Sequence, residues 1–389
     1  MGWESGAGFG HVAPMRLVAR ALLARGHKPV MALRDVVEPA PMLKDEPYPI
    51  LQGPFWGRAA MGLGGKPFAA ATFADILAVG GFGNADELTA MLKACDALID
   101  VVRPDLVIAE YAPMLALAAR GRLPAILFGT GFTVPPADLP VYPRIQAKVP
   151  HTMLQEKVLA VVQEVQRRRG KPVPETLPGI LACERRFPCT FPEIDPYRSV
   201  RREAVLAPLG DLPPPSRAPD KPRFFAYLAA DAPGLQRVVL ALGKSGVPGG
   251  IFLRNPPPRL KEELAKTNLV LYDGPQPMAE VMRDASFIVH HGGTGTTESC
   301  LAAGRSQLLY PRHLEQWMTA RALRSLGVAD TVTRDMTEEA LIEGVRKFAN
   351  DPQWNVRAGA VSADIASRGP RPGVAPIVAA GEELISRRH

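Results

Sequence analysis

The run His290-His291-Gly292-Gly293-Thr294-Gly295-Thr296-Thr297-Glu298 is the part of this sequence best suited to chemistry. Residues 286–289 before it, apolar after Ser286, read as a buried strand, and 296–303 after it read as a helix. Glycines at such a junction let the backbone approach a ligand closely. Free amides at the helix start, with the positive end of its dipole, favour a phosphate. A histidine beside the turn adds a donor, charged or neutral. Glu298 lies one turn into the helix, where a carboxylate can accept bonds from ribose hydroxyls. Further on, Tyr310-Pro311-Arg312-His313-Leu314-Glu315-Gln316 ends another strand. The adjacent Glu315 and Gln316 suit bidentate bonding to sugar hydroxyls, or form an ordinary solvated loop; both readings stay open.

A second glycine turn opens the chain: Gly6-Ala7-Gly8-Phe9-Gly10-His11, ahead of a helix predicted over 12–25. A dinucleotide oxidoreductase would need a third glycine in the G-x-G-x-x-G pattern. His11 occupies that place, so the turn is a weak dehydrogenase signal despite Asp35 at the end of the second strand. Glu110 directly follows the apolar run 105–109 and is either a site acid or a solvated strand-end carboxylate. No Asp-x-Asp metal motif occurs; Glu193-Ile194-Asp195, between two prolines, reads as a turn cap, and no metal ligand set is assigned.

Positioning these residues calls for alternating strands and helices. Strands are predicted at 29–33, 105–109, 125–128, 224–228, 250–253, 269–272 and 286–289. Helices are predicted at 12–25, 87–102, 114–120, 154–169, 234–244 and 279–283. Strand–helix–strand repetition implies parallel sheets wound by helices. The proline-rich stretch 207–221 separates an N-terminal domain, 1–206, from a C-terminal one, 222–389, whose last helix can return to the first domain. Two such domains leave a cleft, and ligands bind beyond the carboxyl ends of the strands. Only four residues precede the first glycine turn, fewer than an inner strand usually needs. An upstream extension of the reading frame, or a stub first strand, is therefore expected.

Taken together, these residues resemble the family-1, UDP-glycosyltransferase-like enzymes of bacterial type. The family's signature is a strand, a His-x-Gly-x-x-Gly/Ser-Thr turn, a helix with an acidic residue, then Pro and an Asp/Glu-Gln pair; here it runs from His290 to Gln316. The weaker resemblance covers most of the chain, including Gly-x-Gly-His at Gly8-Phe9-Gly10-His11 and the Arg25-Gly26-His27 ending of the next helix. The resemblance implies a GT-B fold: two Rossmann-like, doubly wound parallel-sheet domains facing across a cleft. It implies donor binding by Gly10, His290, His291, Gly292, Gly293, Gly295 and Thr296 around the diphosphate, by Glu298 on the ribose, and by Glu315 and Gln316 on the sugar. Tyr272 falls where the family places a base-stacking aromatic. His11 corresponds to the catalytic base, and Glu110 to its acid partner, where the family often has Asp. The reaction implied is an inverting, metal-independent transfer of a hexose-type sugar from a UDP- or dTDP-sugar to an acceptor hydroxyl, with no cofactor beyond that co-substrate. A nucleotide-sugar 2-epimerase and a catalytically silent sugar-nucleotide-binding protein share the fold and remain rivals.

Composition narrows the partners. With 389 residues, 47% hydrophobic and 22% charged, the chain can bury two cores. Its net charge of +7 fits an anionic ligand, an acidic membrane or nucleic acid. Aromatics are only 6% and do not interleave with a basic stripe, which disfavours nucleic acid. The cluster Arg167-Arg168-Arg169 leaves room for a lipid acceptor and peripheral membrane contact. Four cysteines without a C-x-x-C pair, and no basic-then-apolar leader, point to the cytoplasm. Residues 53–85, rich in Gly, Ala and Phe, suggest an apolar acceptor loop. The identities of sugar, base and acceptor are not encoded in these motifs.

Overall fold

The computed structural model describes residues 1–6, 8–57 and 69–387. Residues 58–68, within the segment assigned above to an acceptor loop, lie outside it. The chain divides into two compact units, one of Met1–Gly210 with Pro372–His389 and the other of Asp211–Arg371. The C-terminal helix Ala375–Ser386 thus counts with the first unit, so the second ends at Arg371 rather than at 389.

The first unit is a six-stranded parallel sheet. Its strands are β1 (Gly2–Trp3), β2 (Met31–Leu33), β3 (Ile50–Gln52), β4 (Val107–Glu110), β5 (Ala125–Gly129) and β6 (Arg185–Pro188), in the order β3-β2-β1-β4-β5-β6. β4 and β5 are buried along their whole length, as continuous apolar runs covered on both faces must be. Glu110 is the last residue of β4 and pairs with Trp3 of the two-residue β1. The first helix spans Phe9–Ala24, one turn earlier than its apolar spacing suggested. It stops at Gly26, whose φ of +86° costs glycine nothing. Arg25 and His27 both reach Glu382 on the C-terminal helix, and Arg185 reaches Glu383, which ties that helix to this unit.

The second unit repeats the plan with β7 (Phe224–Ala229), β8 (Gly249–Arg254), β9 (Val270–Tyr272), β10 (Phe287–His290), β11 (Ser306–Leu309) and β12 (Ala329–Thr331), ordered β12-β11-β10-β7-β8-β9. Period-two alternation gives this sheet two apolar faces. Phe224, Ala226, Leu228, Ile251 and Val289 pack on helices Leu235–Lys244 and Glu338–Asn350. Phe225 and Ile288 pack on Met282, Cys300 and Ala303 from helices Met278–Asp284 and Thr294–Ala303. Arg305, fully buried, donates to the carbonyls of Met282, Ala285, Ser216, Ala303 and Arg217 and to the Ser216 hydroxyl. It thereby seals the C-terminal end of one helix and pins the proline-rich stretch to this unit. No helix among the described residues is long and apolar enough to cross a membrane.

Candidate active site

Both sheets have the strand order 3-2-1-4-5-6. Each therefore has a switch point where successive connections depart in opposite directions, between β1 and β4 in one unit and between β7 and β10 in the other. The two glycine turns singled out from sequence sit at these two points.

In the first unit, β1 leads through Gly6 and Gly8, both at positive φ, into the first helix. His11 lies inside the first turn of that helix, not before it, so it does not cap it. Its Nδ1 is 3.0 Å from both carboxylate oxygens of Glu110, 99 residues away, and both side chains are buried. The imidazole lies against the Trp3 indole (centroids 5.5 Å apart, planes 21° apart) and beside Tyr111 at 5.7 Å. A Cβ on Gly6 would stand 2.3 Å from Nε2, and one on Gly129 3.1 Å from the Glu110 carboxylate, so both glycines make room for the pair. Burial pushes the Glu110 carboxyl above its ordinary range, while the neighbouring imidazole pulls it back. Glu4, just after β1, accepts bonds from the Met114 and Leu115 amides (2.9 and 2.6 Å), which ties β1 to the segment after β4. Gly10 is exposed.

In the second unit the paired histidines are cross-ties. Gly292 N donates to His290 Nδ1 (3.1 Å), so Nε2 carries the hydrogen and donates to Gln307 Oε1 (2.9 Å). His291 has the opposite tautomer: Ala229 N donates to Nε2 and Nδ1 donates to the Tyr310 carbonyl, both at 2.9 Å. The two rings thus knit the carboxyl ends of β7, β10 and β11 together. Burial lowers both pKa values to about 4. His290, expected from sequence to face the diphosphate, is therefore a neutral internal post with both ring nitrogens engaged. A depressed histidine contributes stability that is complete above its unfolded value of 6.5 and is lost as pH falls through about 4. For His290 this amounts to about 3 kcal/mol. Thermal unfolding followed from pH 7 to pH 4 should show the second unit losing stability across that window. His290→Gln should make the decline shallower, His291 keeping its own share; an unchanged slope would remove His290 as a source.

What faces outward at this turn is backbone. The helix Thr294–Ala303 has Gly293 as its N-cap, without a side-chain cap, and its first ladder bond is Thr297 N to Gly293 O. The amides of Thr294, Gly295 and Thr296 precede that bond and so have no partner in the helix. A Cβ on Gly293 or Gly295 would meet nothing within 4 Å. Gly292, at φ +87°, brings the turn against Gln316, whose carbonyl would be 3.3 Å from a Cβ there. Glu315 and Gln316 belong to the first turn of the helix Leu314–Ser325 rather than to a strand end or loop, and Gln316 Oε1 accepts the Arg312 amide at 2.8 Å. Glu298 is 7% exposed, and its Oε1 has no hydrogen-bond partner among the described residues. Burial holds its carboxyl well above the usual range, against the pull of Arg371 and with a push from Glu315.

Tyr272 departs from expectation. Its ring leans back over Gly250, where a Cβ would come within 2.7 Å, and packs on Phe225 at 5.7 Å. It lines a recess of about 60 Å³ with Arg223 and Gln276 instead of facing the carboxyl ends of the strands. The arginine clusters are largely paired: Arg168 with Glu164, Arg169 with Asp96, Arg186 with Glu203 and Arg201 with Asp195. That pairing removes the support for a membrane-facing helix. Asp195 also accepts the Tyr197 amide, in keeping with a turn. Among the described residues no group of three or more His, Cys, Asp or Glu side chains could hold a metal ion.

Residues 269–382 match the family model for the C-terminal domain of erythromycin biosynthesis protein CIII-like proteins. Over 100 residues the chain is 35% identical to the elloramycin glycosyltransferase ElmGT of Streptomyces olivaceus, which is 24% of this chain and 25% of that protein's length. The solved calicheamicin glycosyltransferase CalG4 superposes with a TM-score of 0.69 at 18% identity, covering 98% of this chain and 96% of its own. The glycosyltransferase VinC, solved with dTDP, gives 0.66 at 17% identity, covering 99% of each. The chain has the GT-B glycosyltransferase fold. Within that fold, Trp3 and Tyr111 beside His11, and Arg371 beside Glu298, escaped sequence reading, because nothing in their local spacing marks them. The GT-B frame also accounts for the two glycine turns, one at the switch point of each sheet.

Proposed function

We propose that this chain is an inverting glycosyltransferase that moves a hexose-type sugar from a nucleoside diphosphate, of the dTDP or UDP kind, to a hydroxyl of a small-molecule acceptor. The observation that carries the reading is the buried His11–Glu110 pair at a switch point. With Nδ1–H directed at the carboxylate, Nε2 is the nitrogen that takes a proton. His11 removes the acceptor hydroxyl's proton as its oxygen attacks the anomeric carbon, and Glu110 stabilises the imidazolium formed. The leaving diphosphate is met by the open amides of Thr294, Gly295 and Thr296 at the positive end of their helix. Glu298 holds the ribose and Glu315 and Gln316 the sugar. The complex of the structural neighbour VinC with dTDP supports a deoxythymidine donor.

Incubation with dTDP- and UDP-hexoses and a panel of hydroxylated aglycones, read by mass spectrometry, tests the proposal: a product heavier by one glycosyl residue supports it. Epimerised donor formed without acceptor would replace it with the epimerase reading. Glu298→Ala should weaken dTDP or UDP binding by about 2- to 10-fold, because a hydrogen-bonding partner to the ribose hydroxyls contributes about 0.5–1.5 kcal/mol. Calorimetry on the folded variant checks this, and unchanged affinity would take Glu298 out of the site.

A further inference from the structure

We propose that Arg34 is a positioning residue for the His11 base, acting through the two surfaces against which the imidazole rests. The inference rests on the reading of His11 given above. Those surfaces are the Trp3 indole and the backbone of Gly6. Both belong to a short segment: β1 has only two residues, and the turn after it is glycine-rich. Arg34, directly after β2, contacts both. Its guanidinium donates to the Gly6 carbonyl and lies 5.7 Å from the Trp3 ring centre, and its amide donates to the Trp3 carbonyl at 3.0 Å. Phe55 lies 4.4 Å from the same guanidinium. The Arg34 carbonyl is held in turn by the Gln52 side chain at 2.7 Å.

The side chain makes no carboxylate ion pair within 4 Å among the described residues, although Asp35 and Glu38 are near enough to act on it electrostatically. Desolvation lowers its pKa, a cost that a purely solvated surface arginine does not bear. A planar cation that lies near two rings and donates to a carbonyl is a geometry lysine cannot reproduce. The Glu110 carboxylate and the Tyr111 phenol ring lie against His11, and Arg34 stands behind Gly6 and Trp3, with Asp35, Glu38 and Tyr111 acting on it electrostatically.

The test compares Arg34→Lys, Arg34→Ala and His11→Ala in the full chain, each assayed per folded molecule. Arg34→Lys and Arg34→Ala should lower kcat at least 10-fold, with the KM for donor and the Kd for dTDP within twofold of wild type. Arg34→Ala should also move the acidic limb of the kcat/KM profile to higher pH, since a cation near the imidazole is gone, while Arg34→Lys leaves the limb in place. A merely structural arginine would lower the melting temperature and leave both kcat per folded molecule and the limb alone. If Arg34→Ala does not fold, Arg34→Lys decides. Normal kcat in Arg34→Lys beside an inactive His11→Ala overturns the role of Arg34 alone. Normal kcat in His11→Ala overturns the base assignment and the Arg34 proposal with it.

Discussion

Replacing His11 with alanine should reduce turnover by about 100- to 10,000-fold, the range of a positioned proton acceptor, while leaving dTDP affinity near wild type. The nucleotide survives because the groups proposed to hold it, from Gly292 to Glu298, belong to a different folded unit from His11. The fold itself should tolerate the change. His11 is not the helix cap, and its Nδ1 is engaged with the Glu110 carboxylate. Removing it does leave a buried carboxylate without its imidazole, so a modest loss of melting temperature accompanies the loss of rate. Glu110→Gln should cost less than His11→Ala, because an amide oxygen can still accept the Nδ1–H and orient the ring, although it no longer stabilises the imidazolium. The pH profile of His11→Ala should lose the acidic limb that a histidine base imposes. Rate and melting temperature measured on one preparation separate a chemical role from a structural one. A wild-type rate with a competent acceptor would end the assignment.

The second large effect concerns stability. Arg305→Ala should destabilise the second unit by about 4 kcal/mol and lower its melting temperature by roughly 10 °C. The reason lies in what the guanidinium satisfies. It serves the carbonyls of Met282 and Ala285 at a helix end, of Ser216 and Arg217 in the proline-rich stretch, and of Ala303 beside it. These acceptors would lose their donor, in a place where water has little access, and a cavity would remain. Arg305→Lys keeps the charge but not the five-donor fork, and should fall between alanine and wild type. Differential scanning calorimetry of both variants checks the order. A shift under 3 °C for Arg305→Ala would show that these carbonyls find other partners.

The two units differ in how their sites could be read. At 290–298 the strand, the turn and the helix start are contiguous, and each depends on local preferences: apolar run, glycine, then helix-compatible residues. Such a motif is legible because local chain chemistry specifies it. The open amides of Thr294, Gly295 and Thr296 follow from the helix start alone. The roles of the histidines do not. Nothing in the local sequence says that Gln307 will stand 2.9 Å from His290, or that Ala229 will donate to His291. Those contacts arise because β10 lies between β7 and β11, and burial then removes the charge that a solvated histidine could carry. The direction of the Tyr272 ring has a similar origin. Its strand position was foreseeable, but the direction of its ring is set by the gap at Gly250 on the neighbouring strand.

By itself, the sequence determined the two alternating α/β units, the places where glycine turns meet helix starts, and the residue types able to hold a diphosphate. All of these follow from periodicity and backbone freedom over a few residues. Only the tertiary structure decided which distant groups meet. Parallel strands are joined through crossovers, so their neighbours are far apart in sequence and their register is fixed by packing rather than by adjacency. That is how Glu110 comes to His11 across 99 residues, how Gly292 comes to rest on Gln316, and how the last helix joins the first unit through Arg25 and Glu382.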